Sequence, residues 1–417
     1  MNGKSILLSL VLMMLLSLTI VAEEKSEMIA TAKQVTSEAN TLFKKGQVQE
    51  AINLMENFLV DFEKLPADEK QKYAYVGGWR NLYLAAYYSS ISNVDKTISC
   101  LHRAVDYGLD EDMNFYFSLR NSKVFDVVRD TPEFQAIYEP LYQKHDYLSI
   151  LKKCDTYSVD SLDYTFSYQS PDNEDLRTLR EYFNLDSVAG DGDELSKIKR
   201  LLGFVNNLIP HDGNTDFHEN PTSVIEMTQL CISKNHGASC RSLAKLLNEC
   251  YLSMGIKARY ITCLPKKYIS DCHVINAVWS TQLNKWLWVD PTWNAMVMEC
   301  NGNYLSVQEV RYRLRNNLPL RLNDNTQLNK GEQKFDADID DYLYNYMAKN
   351  LYYICSAKDF YAGIEYKKVE SSDPIEKRWI YLVPADYDME NDDIGSGDEK
   401  SSNSLITTND SVFWQKP

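Results

Sequence analysis

The sequence lacks a surplus of basic residues. Lys and Arg together number 44 against 59 Asp and Glu, which gives a formal net charge of −15. Proteins that bind nucleic acid concentrate positive charge against the phosphates, and proteins held at anionic membrane surfaces do the same. The composition therefore argues against both kinds of partner.

Cysteine pairs with the spacing of zinc knuckles are also missing, as is a dense disulfide framework. The nine Cys stand at positions 100, 154, 231, 240, 250, 263, 272, 300 and 355. Because no C-x2-C pair occurs, a zinc site that would draw on Cys231, His236 and Cys240 is a disfavoured alternative. An odd number leaves at least one thiol free or paired between chains, and a disulfide between Cys263 and Cys272 stays open. We expect neither a metal ion nor an organic cofactor.

Apolar residues are abundant enough for a large folded core. Hydrophobic residues make up 44% of the 417 residues, which excludes disorder of the whole chain, and the length predicts two or three domains. One apolar run, residues 6–22, follows Lys4 and ends at Glu23. This layout is typical of a secretory signal peptide over residues 1–22, with a membrane anchor as the alternative. We predict an exported protein with no membrane span after cleavage.

Residues 26–147 are predicted to form an all-helical domain, because their apolar residues recur at intervals of three and four. Gly46–Leu59 can be aligned with Ser92–Val105, and each segment places a small residue between two helices. The pattern resembles tetratricopeptide helix pairs, whose period of ~34 residues would be lengthened here by an inserted loop at Pro66–Lys72. Such pairs first bury their own faces, and a protein partner on their surface is possible.

Residues 148–417 mix strand and helix patterns and predict an α+β domain. An acidic turn at Gly190–Glu194 is expected to cap a helix at Leu195–Ile209 rather than to bind calcium. Seven acidic residues between 385 and 404 predict a mobile surface loop. Further strands are predicted at Tyr157–Tyr168, Tyr361–Val369, Arg378–Val383 and Ser411–Trp414, with a Tyr-rich helix at Tyr342–Tyr353.

The most informative region begins at Cys240. A loop of small residues, Gly237–Ser239, precedes it, and an apolar face recurs at helical spacing until Gly255 ends the helix. Cys240 is therefore predicted at a helix N-terminus, where unpaired N–H groups and the helix dipole favour a thiolate.

Two strands after this helix are predicted to bring a histidine and a carboxylate together. Strands at His273–Trp279 and Lys285–Asp290, joined by a turn centred between residues 281 and 282, place His273 directly opposite Asp290. A register displaced by two keeps the pair diagonal on the same face. Trp286 and Trp288 share the parity of Asp290, so we expect them to shield the pair from water.

A thiol, a histidine and a carboxylate so arranged have what acyl transfer requires. The His takes and returns a proton for the Cys nucleophile, and the carboxylate orients the His. The backbone N–H of Cys240 would be one oxyanion donor, and Asn235 and His236 are weak candidates for a second. His211 and His218 are interpreted as surface or loop residues.

The order NHGASC…GIKARYITC…DCHVINAVW…KWLWVDPTW resembles the transglutaminase-like superfamily, which includes transglutaminases, microbial thiol peptidases and peptide N-glycanases. The resemblance implies a papain-like fold with its core at residues 195–294. It also implies Cys240 as nucleophile, His273 as general base and acid, and Asp290 as the third member. Val274–Asn276 and Arg241-Ser242 depart from the residues common in the family after the His and the Cys, and these departures bear on substrate class.

Taken together, the sequence predicts an exported thiol enzyme that acts on peptide or side-chain amide bonds through an acyl-enzyme. Hydrolysis is favoured over amine transfer, since no feature of the sequence indicates an amine-binding tunnel. The alternative is an idle transglutaminase-like domain in a scaffold that binds peptides or proteins.

Overall fold

The computed structural model describes residues 27–215, 217, 221–267, 272–331, 333–363, 379–388 and 404–417. The predicted signal peptide, His218, most of the predicted strand at Tyr361–Val369 and most of the acidic segment 385–404 lie outside these ranges. No helix within them is both long and apolar enough to cross a membrane. The chain divides into two compact units between Asp146 and Tyr147.

The first unit is helical throughout its described part. Its two main helix pairs turn at Gly46 and Ser92, which both adopt positive φ, at 80° and 59°. The aligned Ala51 and Thr97 are fully buried, consistent with the tetratricopeptide-like pattern. Pro66–Lys72 is largely a short helix and not the predicted loop. The helices are α1 (Glu27–Lys44), α2 (Val48–Glu63), α3 (Ala67–Lys72), α4 (Ala74–Ser90), α5 (Val94–Asp106), α6 (Met113–Asn121) and α7 (Pro132–His145).

The second unit combines helices with a mixed sheet. Its helices are α8 (Tyr147–Lys153), α9 (Glu174–Tyr182), α10 (Leu185–Ala189), α11 (Glu194–Leu208), α12 (Val224–Lys234), α13 (Cys240–Ser253), α14 (Val307–Arg315), α15 (Ala348–Asn350) and α16 (Asp410–Phe413), with a π-helix at Asp340–Met347. Its strands are β1 (Ser167–Tyr168), β2 (Ala258–Leu264), β3 (His273–Ser280), β4 (Lys285–Val289), β5 (Val297–Met298), β6 (Arg321–Leu322), β7 (Gln327–Asn329), β8 (Lys334–Asp336), β9 (Tyr353–Ala357), β10 (Asp359–Phe360), β11 (Trp379–Leu382) and β12 (Ser404–Thr407).

The central sheet has six strands in the order β12-β11-β9-β2-β3-β4. Only β11 and β12 pair in parallel, and the other neighbours are antiparallel. Helix α13 packs against β2 and β3, and every residue of these two strands is buried. The fold is thus a helical region followed by an α+β domain, as the sequence predicts.

The β3–β4 hairpin forms in a register displaced by two residues from the direct one. Trp279 pairs with Trp286 and Asn276 with Val289, so the turn is longer than the pattern predicts. The reason is Glu194 at the start of α11, whose carboxylate accepts hydrogen bonds from Ser280, Thr281 and Gln282. Asp193 caps the same helix through the N–H of Ser196.

Two strand predictions are wrong. The segment 411–414 lies largely in α16, because the Asn409 side chain accepts a hydrogen bond from the N–H of Ser411 and caps a helix there. Within 157–168 only β1 is a strand. Earlier in that segment the N–H of Ser158 donates to Thr408 O and that of Leu162 to the Asp160 side chain, so these groups join no ladder.

Candidate active site

Cys240 is the first residue of α13. Ser239 caps the helix, accepting a hydrogen bond from the N–H of Ser242 at 3.3 Å. As a residue, Cys240 is half-buried. Its N–H lies in the first helical turn, where amides have no acceptor within the helix. The predicted position of the thiol is therefore the observed one.

His273 and Asp290 form a buried pair. Nε2 of His273 lies 2.6 Å from Oδ2 of Asp290, and the two side chains are 2% and 0% exposed. The hydroxyl of Tyr342 donates to the same Oδ2 at 2.6 Å. The N–H groups of Thr292 and Trp293 donate to Oδ1 at 2.9 and 3.4 Å. Four donors thus hold a carboxylate that burial alone would penalise.

Aromatic side chains cover this pair. The ring of Tyr346 lies edge-on to His273 at 5.3 Å between centroids, and the indole N–H of Trp288 donates to the Tyr342 hydroxyl at 3.3 Å. Trp288 therefore shields the pair through Tyr342. Trp286 belongs to the same buried cluster as Trp288 and Tyr342, and its indole N–H donates to Trp414 O.

The electrostatics of the pair favour a thiolate beside an imidazolium. Burial by itself raises the pKa of Cys240, but hydrogen bonds from His211 and His273 and the charge of His273 outweigh it and lower that pKa to about 6. Burial by itself lowers the pKa of His273, but the charge and hydrogen bond of Asp290 and the contact with Cys240 raise it to about 10. Between these values the arrangement supports a charged nucleophile and a proton donor.

His211 is the residue that the sequence interpretation missed. The sequence places it on the surface or in a loop, and it does lie in a loop after α11, but its ring also contributes to the lowered pKa of Cys240. The loop pairs with the segment before Cys240, because Ala238 N–H donates to Pro210 O and Asp212 N–H to Ala238 O, both at 2.9 Å. A Cβ on Gly237 would lie 2.6 Å from Pro210 O, so only glycine permits this approach.

Neither weak candidate for the second oxyanion donor has a recorded contact with the thiol. Nδ1 of His236 lies 3.0 Å from Gly237 O, and its ring packs against Phe217. Asn235 ends α12 in a left-handed conformation. The only signal that could have found His211 is the Pro-His-Asp-Gly turn at the end of a helix, together with the small residue Gly237.

No disulfide joins any of the nine cysteines, all of which lie within the described ranges. The alternative of a Cys263–Cys272 disulfide is therefore wrong. Cys272 lies just before β3 and packs against the same apolar cluster as Cys263, yet no bond joins the two sulfurs. Among the described residues, no cluster of three or more His, Cys, Asp or Glu side chains is arranged to hold a metal ion.

The β7–β8 hairpin ties the two sides of the site together. Asn329 O accepts from the N–H of His211 at 2.8 Å, and the N–H of Gln327 donates to Trp293 O at 2.7 Å. Asn206 of α11 donates to Pro291 O at 2.9 Å and accepts from the Asn329 side chain at 2.7 Å. The turn that carries Asp290 and the loop that carries His211 thus share one hydrogen-bonded support.

Comparison with known proteins points to one family. Residues 182–291 match the model of the Transglutaminase-like superfamily, a segment that holds Cys240, His273 and Asp290. Among curated proteins, none matches this sequence. A solved structure described as a "putative cysteine protease from Cytophaga hutchinsonii" is 17% identical over 40% of this chain and 51% of that chain, with a TM-score of 0.23. The match thus spans about half the length of that protein. Residues 182–291 of this chain form a transglutaminase-like domain.

Proposed function

We propose that this protein is a thiol enzyme that cleaves peptide or side-chain amide bonds, with Cys240, His273 and Asp290 as its triad. The observation that carries the proposal is the buried His273–Asp290 pair, whose histidine also lowers the pKa of Cys240. A structural cysteine buried among apolar groups has its pKa raised, as burial raises that of Cys231 to about 11. The pKa of Cys240 moves the opposite way, which suits a nucleophile.

In the proposed reaction the Cys240 thiolate attacks the amide carbonyl carbon, and the C–S bond forms as the carbonyl electron pair moves to oxygen. When this intermediate collapses, the C–N bond breaks and the His273 imidazolium gives its proton to the leaving amine. Neutral His273 then takes a proton from water, and the resulting hydroxide attacks the thioester and releases the acid. Asp290 orients the ring and stabilises the imidazolium.

Hydrolysis is the favoured fate of the acyl-enzyme, because no feature of the sequence indicates an amine-binding tunnel. We also propose that the protein is exported, on the strength of its apolar N-terminal run. Sequencing the N-terminus of the protein recovered from its cells tests this, and a chain that begins at residue 1 would contradict it. A protein partner on the helical unit stays a prediction.

The test of the thiol chemistry is alkylation of Cys240 by iodoacetamide across pH, resolved by peptide mapping. The thiolate forms as the pH rises through the pKa of Cys240, so we expect its rate to increase with a midpoint near pH 6. In His273→Ala the midpoint should move toward the free-thiol value of about 8.5. The exposed Cys300 is the reference thiol in both proteins.

Turnover of a library of peptide amides is the second measurement. It should vanish in Cys240→Ala, and full activity in that variant would contradict the proposal. A Cys240 that alkylates at the same pH midpoint with and without His273 would instead favour the idle domain on a binding scaffold.

A further inference from the structure

The proposed reaction needs a second hydrogen-bond donor for the oxyanion, and the triad does not supply one. As the thiolate adds to a carbonyl, negative charge moves from sulfur to oxygen, and it must be met by fixed donors. The N–H of Cys240 at the start of α13 can be one of them. A second donor has to lie close to both the sulfur and this N–H.

His211 lies at this place, and the backbone holds it there. His211 and Ala238 form a bridge of two parallel segments, and Ala238 is two residues before Cys240. The N–H of His211 donates to Asn329 O at 2.8 Å, so the loop is fastened from both sides. The ring therefore reaches the thiol from a backbone that is bonded to the nucleophile's own loop.

The side chain of Lys330 faces one ring nitrogen of His211. Its ammonium group lies 3.3 Å from Nδ1 of His211. An ammonium group can only donate, so Nδ1 must accept. A neutral imidazole has a single proton, which is then on Nε2, and Nε2 is the nitrogen left to bond the Cys240 side chain. Asp212, next in the chain, is the other charged group recorded near Lys330.

We propose that His211 donates its Nε2–H to the oxyanion beside the N–H of Cys240, and that Lys330, by donating to Nδ1, keeps a ring proton on Nε2. The inference rests on the proposed acyl transfer. Before attack the Nε2–H bonds the thiolate sulfur. When the C–S bond forms and the electron pair moves to oxygen, the same N–H bonds that oxygen, and it keeps its proton throughout.

Two reagents separate this role from activation of the thiol. Acylation of Cys240 by p-nitrophenyl acetate passes through an oxyanion, whereas alkylation by iodoacetamide displaces iodide at a saturated carbon and does not. The measured quantity is the ratio of the two second-order rate constants at a pH where the thiolate is fully formed, with the Cys240→Ala rate subtracted. Neither reagent requires knowledge of the substrate.

His211→Leu removes the donor, and His211→Gln keeps an amide N–H near the place of Nε2. We expect the ratio of acylation to alkylation to fall at least tenfold in His211→Leu and to recover within about threefold of wild type in His211→Gln, since one oxyanion donor contributes 10²–10³ to turnover. An unchanged ratio in His211→Leu overturns the inference. Unchanged circular dichroism and Cys300 alkylation show that the variants fold.

The role of Lys330 is tested by Lys330→Met, with Lys330→Arg as the conservative variant. We expect the ratio to fall several-fold in Lys330→Met and to be kept in Lys330→Arg, which retains a donor to Nδ1. An unaffected Lys330→Met refutes the tautomer argument. If wild-type Cys240 reacts slowly with both reagents, the proposed function fails. If wild-type Cys240 reacts quickly with both reagents and His211→Leu shows the same ratio of acylation to alkylation, only the inference about His211 fails.

Discussion

Two histidines contact Cys240, and their surroundings are opposite in charge. His273 is buried against the carboxylate of Asp290, and that charge favours a protonated ring. His211 is half-buried with the ammonium group of Lys330 at its Nδ1, and that contact leaves Nε2 to donate toward the thiol. His273 is thus suited to proton transfer, whereas His211 is suited to a fixed hydrogen bond. The neighbouring charge decides the role, as in other sites where paired groups divide acid and base work.

The largest test of this contrast is Asp290→Asn. The amide nitrogen would donate to Nε2 of His273 and force the proton onto the nitrogen that faces the thiol, which leaves no base. We expect kcat/KM to fall about 10⁴-fold, as for the corresponding change in serine proteases, and the alkylation midpoint of Cys240 to rise. Asp212→Asn, on the side of His211, is the control and should stay within about threefold. Activity of Asp290→Asn within tenfold of wild type would remove Asp290 from the mechanism.

A smaller effect is expected from Tyr342→Phe, which deletes the hydroxyl that donates to Asp290 at 2.6 Å. One hydrogen bond to a charged group contributes about 1.5–3 kcal/mol, so we expect roughly a tenfold loss in kcat/KM and a lower free energy of unfolding. Tyr346→Phe keeps the ring over His273 and removes only a hydroxyl bonded to Cys272 O. In steady-state kinetics, kcat/KM should be clearly lower for Tyr342→Phe than for Tyr346→Phe. The reverse order would contradict the role of the Tyr342 hydroxyl in stabilising the Asp290 carboxylate.

The smallest effect on activity is expected from Glu194→Gln. This change weakens the hydrogen bonds to the turn of the β3–β4 hairpin and alters no contact of His273 or His211. The pKa of Glu194 is lowered, because hydrogen bonds from Gln282, Thr281 and Ser280 outweigh its burial. Its stabilisation is therefore present above the unfolded value of about 4.3 and is lost as the pH falls through the folded value.

Urea unfolding should thus show Glu194→Gln less stable than wild type by about 1–2 kcal/mol at pH 7, with kcat unchanged. The difference should shrink only as the pH falls below the unfolded value and through the lower folded pKa. The exposed Glu50 of α2 provides the control, Glu50→Gln. A difference that stays constant as the pH falls through this range would mean that the charge of Glu194 is not what holds the turn.

Local sequence patterns predict much of the part of the site that contains His273. Alternation along β3 and β4 places His273 and Asp290 on one face, and a register error of two residues leaves that face unchanged. The helix that begins at Cys240 follows from its apolar period and from Gly255. The hairpin register itself did not follow, because Glu194, about 87 residues away, bonds the turn.

His211 shows where this reasoning stops. It lies in a coil segment 29 positions before Cys240, so no helical or strand period relates the two. Its place depends on backbone pairing with Ala238, on the absence of a Cβ at Gly237 and on Lys330, 119 residues later. Short-range periodicity carries no information about contacts of that separation.

The sequence by itself thus determined the helical region, the α+β domain and three residues of one site, because hydrophobic periodicity and strand parity act between near neighbours. Only the tertiary structure decided what surrounds the thiol: the four donors on Asp290, the register of the hairpin, and a second histidine with a cation behind it. These depend on hydrogen bonds between segments far apart in the chain, and such bonds form only once the core has brought the segments together.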